Sequence, residues 1–282
     1  MINALYLHRI DKNLGDDQSS VWKQRDLLQQ KANFLGLNGR KLFPPGPRAD
    51  FSSPEKWDLN AEIIIIGGGG LIGPPIFDPG WDKIAEANGL VVLWGVGHNK
   101  HNGRLMSAQY KKAVNKLQGR FVHFSRDVCG QIFTPCPSII KLIENFTTKK
   151  IKTELIDELF LEHATRKLPA GFNPPSFKLN VDRDADFKFE QVVDAIQSSK
   201  VVTTNSYHGA LWTLFFSKNV KIVDVFSDKF QCMPFIHNAQ LGYSLPSKHL
   251  YSMNYLNLKP LETFQEKLTD SLMLYNKWLN ER

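Results

Sequence analysis

A chain of 282 residues, 42% of them hydrophobic, can bury a sizeable core and is long enough for two domains rather than one. No apolar run approaches the roughly 20 residues a membrane helix needs, and the opening MINALYLHRI lacks the apolar stretch and cleavage site of a secretory signal, so a cytoplasmic protein is expected. The formal charge of +7 favours anionic partners, but Lys and Arg are scattered without an RNA-binding or zinc-finger signature, which excludes nucleic acid as the preferred partner.

In chain order, residues 1–10 read as a first strand and SVWKQRDLLQQKANFLGL as a helix. Pro44, Pro45 and Pro47 mark an exposed excursion. AEIIIIGGGGLIG (61–73) and NGLVVLWGVGHN (88–99) are apolar runs that stop at glycine, as parallel strands covered on both faces do. SAQYKKAVNKLQGR is helical in period, FVHFSRDVCG (121–130) opens as a short strand, and FTTKKIKTE (146–154) reads as a linker. The same grammar then repeats: strand 157–163, helix 188–199, strand 200–204, helix 207–217 and strand 220–226. The expected fold class is therefore α/β, with two Rossmann-like domains over residues 1–145 and 155–282 facing across a cleft lined by strand ends. Cys129, Cys136 and Cys232 show no CxxC spacing, so neither a disulfide framework nor a metal site is expected.

Chemistry-bearing residues gather at those strand ends. After the first strand come Asn13, Gly15, Asp16 and Asp17, where either carboxylate can cap a helix and Asp16 can alternatively act as a general base. Gly67, Gly68, Gly69 and Gly70 fit neither GxGxxG nor a Walker A motif, but four in a row would let a ligand approach the backbone at a helix start. Gly95, Gly97, His98 and Asn99 end the next strand. Arg126 reads either as the ion-pair partner of Asp127 or as a clamp for a carboxylate or phosphate. In TTNSYHGALW, the groups Asn205, Ser206, Tyr207 and His208 stand at a helix start beside the small Gly209, more polarity than capping requires. Lys229 follows the next strand, as a surface lysine or as a further cation for the same anion.

Taken in order, NLGD, IIIIGGGGLI, VVLWGVGHN, SRD, PCPS, FLEH, TTNSYHGALW and FSDKF resemble the polysaccharide pyruvyl transferase family. The resemblance implies a glycosyltransferase-B-like fold and transfer of pyruvate from phosphoenolpyruvate to a sugar as a ketal, with the first domain on the acceptor side and the second on the donor side. It further implies that His208 with Gly209 forms the turn whose histidine takes part in donor binding or catalysis; the proton traffic of ketal formation makes His208 the candidate acid and Asp16 the candidate base. Asn205, Ser206, Tyr207, Arg126 and Lys229 would bind the donor. Family members with Arg-Leu before this His use that Arg on the donor; here Ser206 and Tyr207 stand there, and Arg126 or Lys229 has to compensate. The implied partners are phosphoenolpyruvate as co-substrate and a sugar or lipid-linked oligosaccharide, with peripheral association at the inner face of the membrane and no separate cofactor. Two other functions fit the same architecture. One is a nucleotide-sugar glycosyltransferase, which needs a carboxylate for the ribose such as Asp224, and the other is a non-catalytic glycan-binding module.

Overall fold

The computed structural model describes the chain except residues 1–2, 11–12, 38–40, 100–106, 128–131, 149–153, 166–167, 169–170, 182–187, 224–226, 231, 236–238 and 242–258. Cys129 and Asp224 lie outside the described residues. The strands fall into two five-stranded sheets, and every pairing in both is parallel. The first holds β1 (Ala4–His8), β2 (Arg48–Asp50), β3 (Ile63–Gly67), β4 (Leu90–Val96) and β5 (Phe121–Ser125) in the order β2-β1-β3-β4-β5. The second holds β6 (Ile156–Glu162), β7 (Phe177–Asn180), β8 (Ser199–Thr204), β9 (Asn219–Ile222) and β10 (Ala239–Leu241) in the order β10-β9-β8-β6-β7.

The four isoleucines of β3 explain the first sheet. Side chains alternate across a strand, so Ile64 and Ile66 enter one hydrophobic cluster while Ile63 and Ile65 enter the cluster on the opposite face. All four are buried, each worth about 1.5–3 kcal/mol of gross transfer free energy. A strand covered on both faces has no use for the polar alternation of a half-exposed one.

Helices cover these faces and join the halves. They are α1 (Leu14–Gln18), α2 (Val21–Phe34), α3 (Asp78–Ile84), α4 (Ala108–Lys116), α5 (Pro137–Thr148), α6 (Phe189–Gln197), α7 (Tyr207–Phe215) and α8 (Pro260–Asn280). In α5, Ile139 and Leu142 enter the core of the second sheet while Ile140 enters that of the first. In α8, Phe264 belongs to the second core, whereas Leu268, Leu272, Tyr275 and Leu279 line a helical stripe packed with Ile63 and Ile65. The last helix thus returns to the first sheet. Among the described residues no helix is long and apolar enough to cross a membrane.

Several local expectations are corrected. The linker expected from residue 146 begins inside α5, whose apolar stripe carries the helix to Thr148. Around the proline excursion, Pro44 is buried and its carbonyl accepts the Tyr6 hydroxyl at 2.7 Å, and the edge strand β2 follows directly. The glycine run does not open a helix; the chain passes through an irregular stretch and a 3-10 turn, Pro75–Phe77, before α3. Neither Asp16 nor Asp17 is the cap of α1. Asn13 holds that position, its side chain accepting from the Gly15 N–H, while Asp17 pairs with Lys23. Strand β9 ends at Ile222, and the remainder of the expected strand, 224–226, lies outside the described residues.

Candidate functional site

Because all strands in each sheet are parallel, each sheet gathers its carboxyl ends, and with them its loops, along one edge. Residues from these edges of the two sheets touch. Arg126, just past β5, reaches His208 at the start of α7, with Nη1 3.5 Å from Nε2. Asn13 Nδ2 lies 3.4 Å from Nε2 of His163, the residue after β6, and the Ser227 hydroxyl donates to Asn99 Oδ1 at 2.8 Å.

His208 is buried at this junction. Its Nε2 faces Arg126 and, at 3.9 Å, the thiol of Cys136; its ring lies against Tyr207 and Trp212. Burial first, then the charges of Arg126, Lys229 and His163, holds its proton affinity well below the usual imidazole range. The ring is therefore neutral. Since guanidinium only donates, Nε2 is the acceptor and the ring proton sits on Nδ1. Nδ1 in turn presses on Gly15 so closely that a Cβ there would lie 2.1 Å from it. This explains a glycine in α1, where alanine would be the better helix former.

Arg126 is only 2% exposed. Among the described residues no carboxylate approaches its guanidinium within ion-pair distance, and its Nε is buried without a hydrogen-bond partner. Its charge stacks on the ring of Tyr207 at 4.5 Å, and Lys229 approaches the same ring at 5.5 Å. The Tyr207 hydroxyl is also buried with no partner, and burial keeps it protonated. Asp127 does not pair with Arg126 as a neighbour could. Its Oδ2 accepts from His98, from the backbone N–H at 2.6 Å and from ring Nδ1 at 3.0 Å, while Oδ1 is left unpartnered. Leaving a buried polar group unsatisfied costs about 1–3 kcal/mol, and three such atoms on neighbouring side chains are more than packing accounts for. Two cations and two idle donors around a neutral imidazole can take an anion with several oxygens.

The other expected site residues divide into two groups. Asp16 is half-buried beside the glycine turn, its Oδ1 3.6 Å from where a Cβ on Gly69 would stand, and its charge is felt at Arg126. Gly97 packs against Arg126 and Asp127, so His98 and Asn99 belong to the same neighbourhood. Scaffold duties explain most of the rest. Ser206 caps α7 by accepting from the Gly209 N–H, Gly209 has no room for a Cβ beside Thr204, and Asn205 Oδ1 accepts the His163 N–H at 2.7 Å. A Cβ on Gly67 would meet Val21, on Gly68 the Ser19 carbonyl, on Gly70 Asn99 and on Gly95 Pro137, so the protein's own packing already requires glycine at these four positions. Cys136, His163 and the role of Asp127 escaped the sequence reading. PCPS and FLEH carry no chemical spacing of their own and gain meaning only when the fold brings them to His208 and Asn205.

No protein-family model and no curated protein matches the chain. Among solved structures, the crystal structure of a functionally uncharacterized protein from Klebsiella pneumoniae subsp. pneumoniae superposes with a TM-score of 0.44 at 14% identity, covering 86% of this chain and 93% of that one.

Proposed function

We propose that the protein transfers pyruvate from phosphoenolpyruvate to a sugar of a surface polysaccharide or glycan, forming a ketal, and that its two sheets are two Rossmann-like domains facing across a cleft, as in glycosyltransferase-B enzymes. The observation that carries this reading is Arg126: a buried guanidinium with an idle Nε, next to Lys229 and a neutral His208, with no carboxylate within ion-pair distance among the described residues. A buried cation with no carboxylate in ion-pair contact among the described residues is costly, and a substrate anion offsets part of that cost on arrival. Phosphoenolpyruvate brings a carboxylate and a phosphate on one small skeleton, which matches two cations and the Tyr207 hydroxyl. Arg126 then takes the place of the arginine that other members of the resembled family carry before the histidine. It comes from the first half, so the donor site draws on both.

In the reaction, a sugar oxygen forms a bond to C2 of phosphoenolpyruvate while C3 takes a proton. Phosphate leaves with its C–O electron pair, and a second hydroxyl closes the ketal. Of the two hydroxyl protons, one balances the new methyl group and one the released hydrogen phosphate. His208 supplies the proton to C3. It is neutral in the free protein, and the charge of a bound polyanion raises its proton affinity. Asp16, with the Gly69 turn, lies on the acceptor side. The acceptor is a sugar or lipid-linked oligosaccharide, which would bring a cytoplasmic protein to the inner face of the membrane.

Thermal shift with phosphoenolpyruvate, UDP and UDP-sugars in parallel tests this reading. Phosphoenolpyruvate alone is expected to stabilise, by about 2.7 kcal/mol at a hundredfold excess over Kd, and less as salt rises. Stabilisation by UDP and not by phosphoenolpyruvate would replace this reading with a glycosyltransferase.

A further inference from the structure

The PCPS turn carries a chain of hydrogen bonds that the steps above leave unused. Gly95 has φ +69°, and Pro137, which opens α5, fills the space that a Cβ there would need. Cys136 and Ser138 stand on either side of this proline, both buried. Trp212 Nε1 lies 3.1 Å from Ser138 Oγ, Ser138 Oγ lies 3.4 Å from Cys136 Sγ, and Sγ lies 3.9 Å from His208 Nε2. His208 and Trp212 are one turn apart on α7, so the chain leaves that helix and returns to it through the start of α5. Its direction is fixed at both ends. An indole N–H can only donate, so Ser138 accepts there and gives its own proton to the sulfur. At the far end Nε2 is an acceptor, because the Arg126 guanidinium only donates. The S–H of Cys136 therefore points to Nε2.

The ring has a use for this donor. Tyr207 and Trp212 lie against it and Gly15 backs its Nδ1 side, yet packing cannot distinguish an imidazole from the same ring turned over about its Cβ–Cγ bond, because ring nitrogen and C–H are nearly equal in size. Hydrogen bonds make that choice. Arg126 supplies one at 3.5 Å, but an anion arriving at the guanidinium competes for the same N–H groups. We infer that Cys136 is a positioning residue: its thiol, aimed by Trp212 and Ser138, keeps Nε2 of His208 turned towards the anion locus while Arg126 holds the substrate. The consequence for turnover rests on the pyruvyl-transfer reading, whereas the hydrogen-bond chain is testable without it. A thiol suits this duty because it is a weak donor, able to hold the neutral ring and to give way when His208 takes a proton.

The test compares wild type with Cys136→Ser, Cys136→Ala and Ser138→Ala. Steady-state phosphate release from phosphoenolpyruvate is measured with a galactoside, glucoside or mannosamine acceptor, thermal unfolding is read in parallel, and 15N NMR reports on His208 in the protein without substrate. In the wild type the ring proton is expected on Nδ1, with an Nε2 resonance that moves in Cys136→Ala and moves less in Ser138→Ala. In turnover, Cys136→Ala is expected to lower kcat about tenfold with a KM for phosphoenolpyruvate within about threefold, and Cys136→Ser to recover most of that loss. A wild-type ring with its proton on Nε2, or an Nε2 resonance indifferent to Cys136→Ala, overturns the inference and leaves pyruvyl transfer standing. So does a folded Cys136→Ala variant that loses stability but keeps the wild-type kcat, which makes the thiol a packing residue. Should Cys136→Ala fail to fold, Ser138→Ala decides, since it keeps the volume of the sulfur: an unchanged Nε2 resonance and kcat there overturn the inference as well. A wild type that neither binds nor consumes phosphoenolpyruvate brings down the pyruvyl-transfer reading, and the positioning role in turnover with it.

Discussion

Gly15→Ala probes the contact that holds α1 of the first half against α7 of the second. The new Cβ would stand 2.1 Å from His208 Nδ1, 2.4 Å from its Cγ and 2.7 Å from its Cβ. Ordinary contact needs roughly 3.5 Å, so the imidazole or α1 must yield by about 1.4 Å. The ring has little room to do so, with Trp212 and Tyr207 against it and Arg126 and Cys136 at Nε2. Overpacking of this kind costs about 1–3 kcal/mol, or a fall in Tm of roughly 2–10 °C for a chain of this size. The informative assay is a double-mutant cycle by thermal or urea unfolding. Gly15→Ala in a His208→Ala background removes the two shorter contacts and leaves only Cβ against Cβ at 2.7 Å, so the two substitutions should couple favourably by about 1 kcal/mol or more. Additive effects, or a Gly15→Ala variant as stable as wild type, would mean that Gly15 and His208 are not in contact.

Stability should fall on acidification below about pH 6.5. His208, His8 and His123 all have proton affinities lowered chiefly by burial, so the unfolded chain binds protons that the native state refuses. His123 alone, pushed down to about 4, accounts for about 3 kcal/mol lost between pH 6.5 and 4, and His123→Gln should flatten that part of the profile in urea titrations. Arg126→Met should leave Tm unchanged or higher, because it removes a buried charge with no carboxylate in ion-pair range among the described residues, while abolishing stabilisation by phosphoenolpyruvate; unfolding of this variant would make Arg126 a structural residue. His208→Asn should keep phosphoenolpyruvate binding and lose most turnover, since an amide cannot titrate, and an unchanged kcat would end the catalytic role of His208.

The sheet strands were legible because burial on both faces writes itself as unbroken apolar runs, IIII in β3 and LVVLW in β4. The short edge strand β2 escaped because RAD is polar and takes its register from β1 rather than from a pattern of its own. Helix α5 was missed because its stripe is shared between two cores, and the polar run that follows invited a linker. At the site, the junction at 205–209 stood out by its polarity, yet sequence could not separate the cap Ser206 from His208, which reaches across to the other half. At four of the glycines the protein's own atoms already leave no room for a Cβ, and such close packing leaves the same letters in the sequence as close approach to a ligand. The run SRD leaves open whether Arg126 pairs with Asp127 or clamps an anion, and the fold gives Asp127 to His98, 29 positions away.

The central claim is that Arg126 receives the anion, and the most direct measurement is the KM for phosphoenolpyruvate of Arg126→Lys against wild type, in a phosphate-release assay with the ketal product confirmed by mass. Lysine keeps the charge and loses the planar fork, removing about 1.5–3 kcal/mol of charge-assisted hydrogen bonding. A KM raised roughly 10- to 100-fold in a protein that keeps its wild-type fold is the expected result. An unchanged KM, or a wild type that releases no phosphate with a galactoside, glucoside or mannosamine acceptor, would contradict the account.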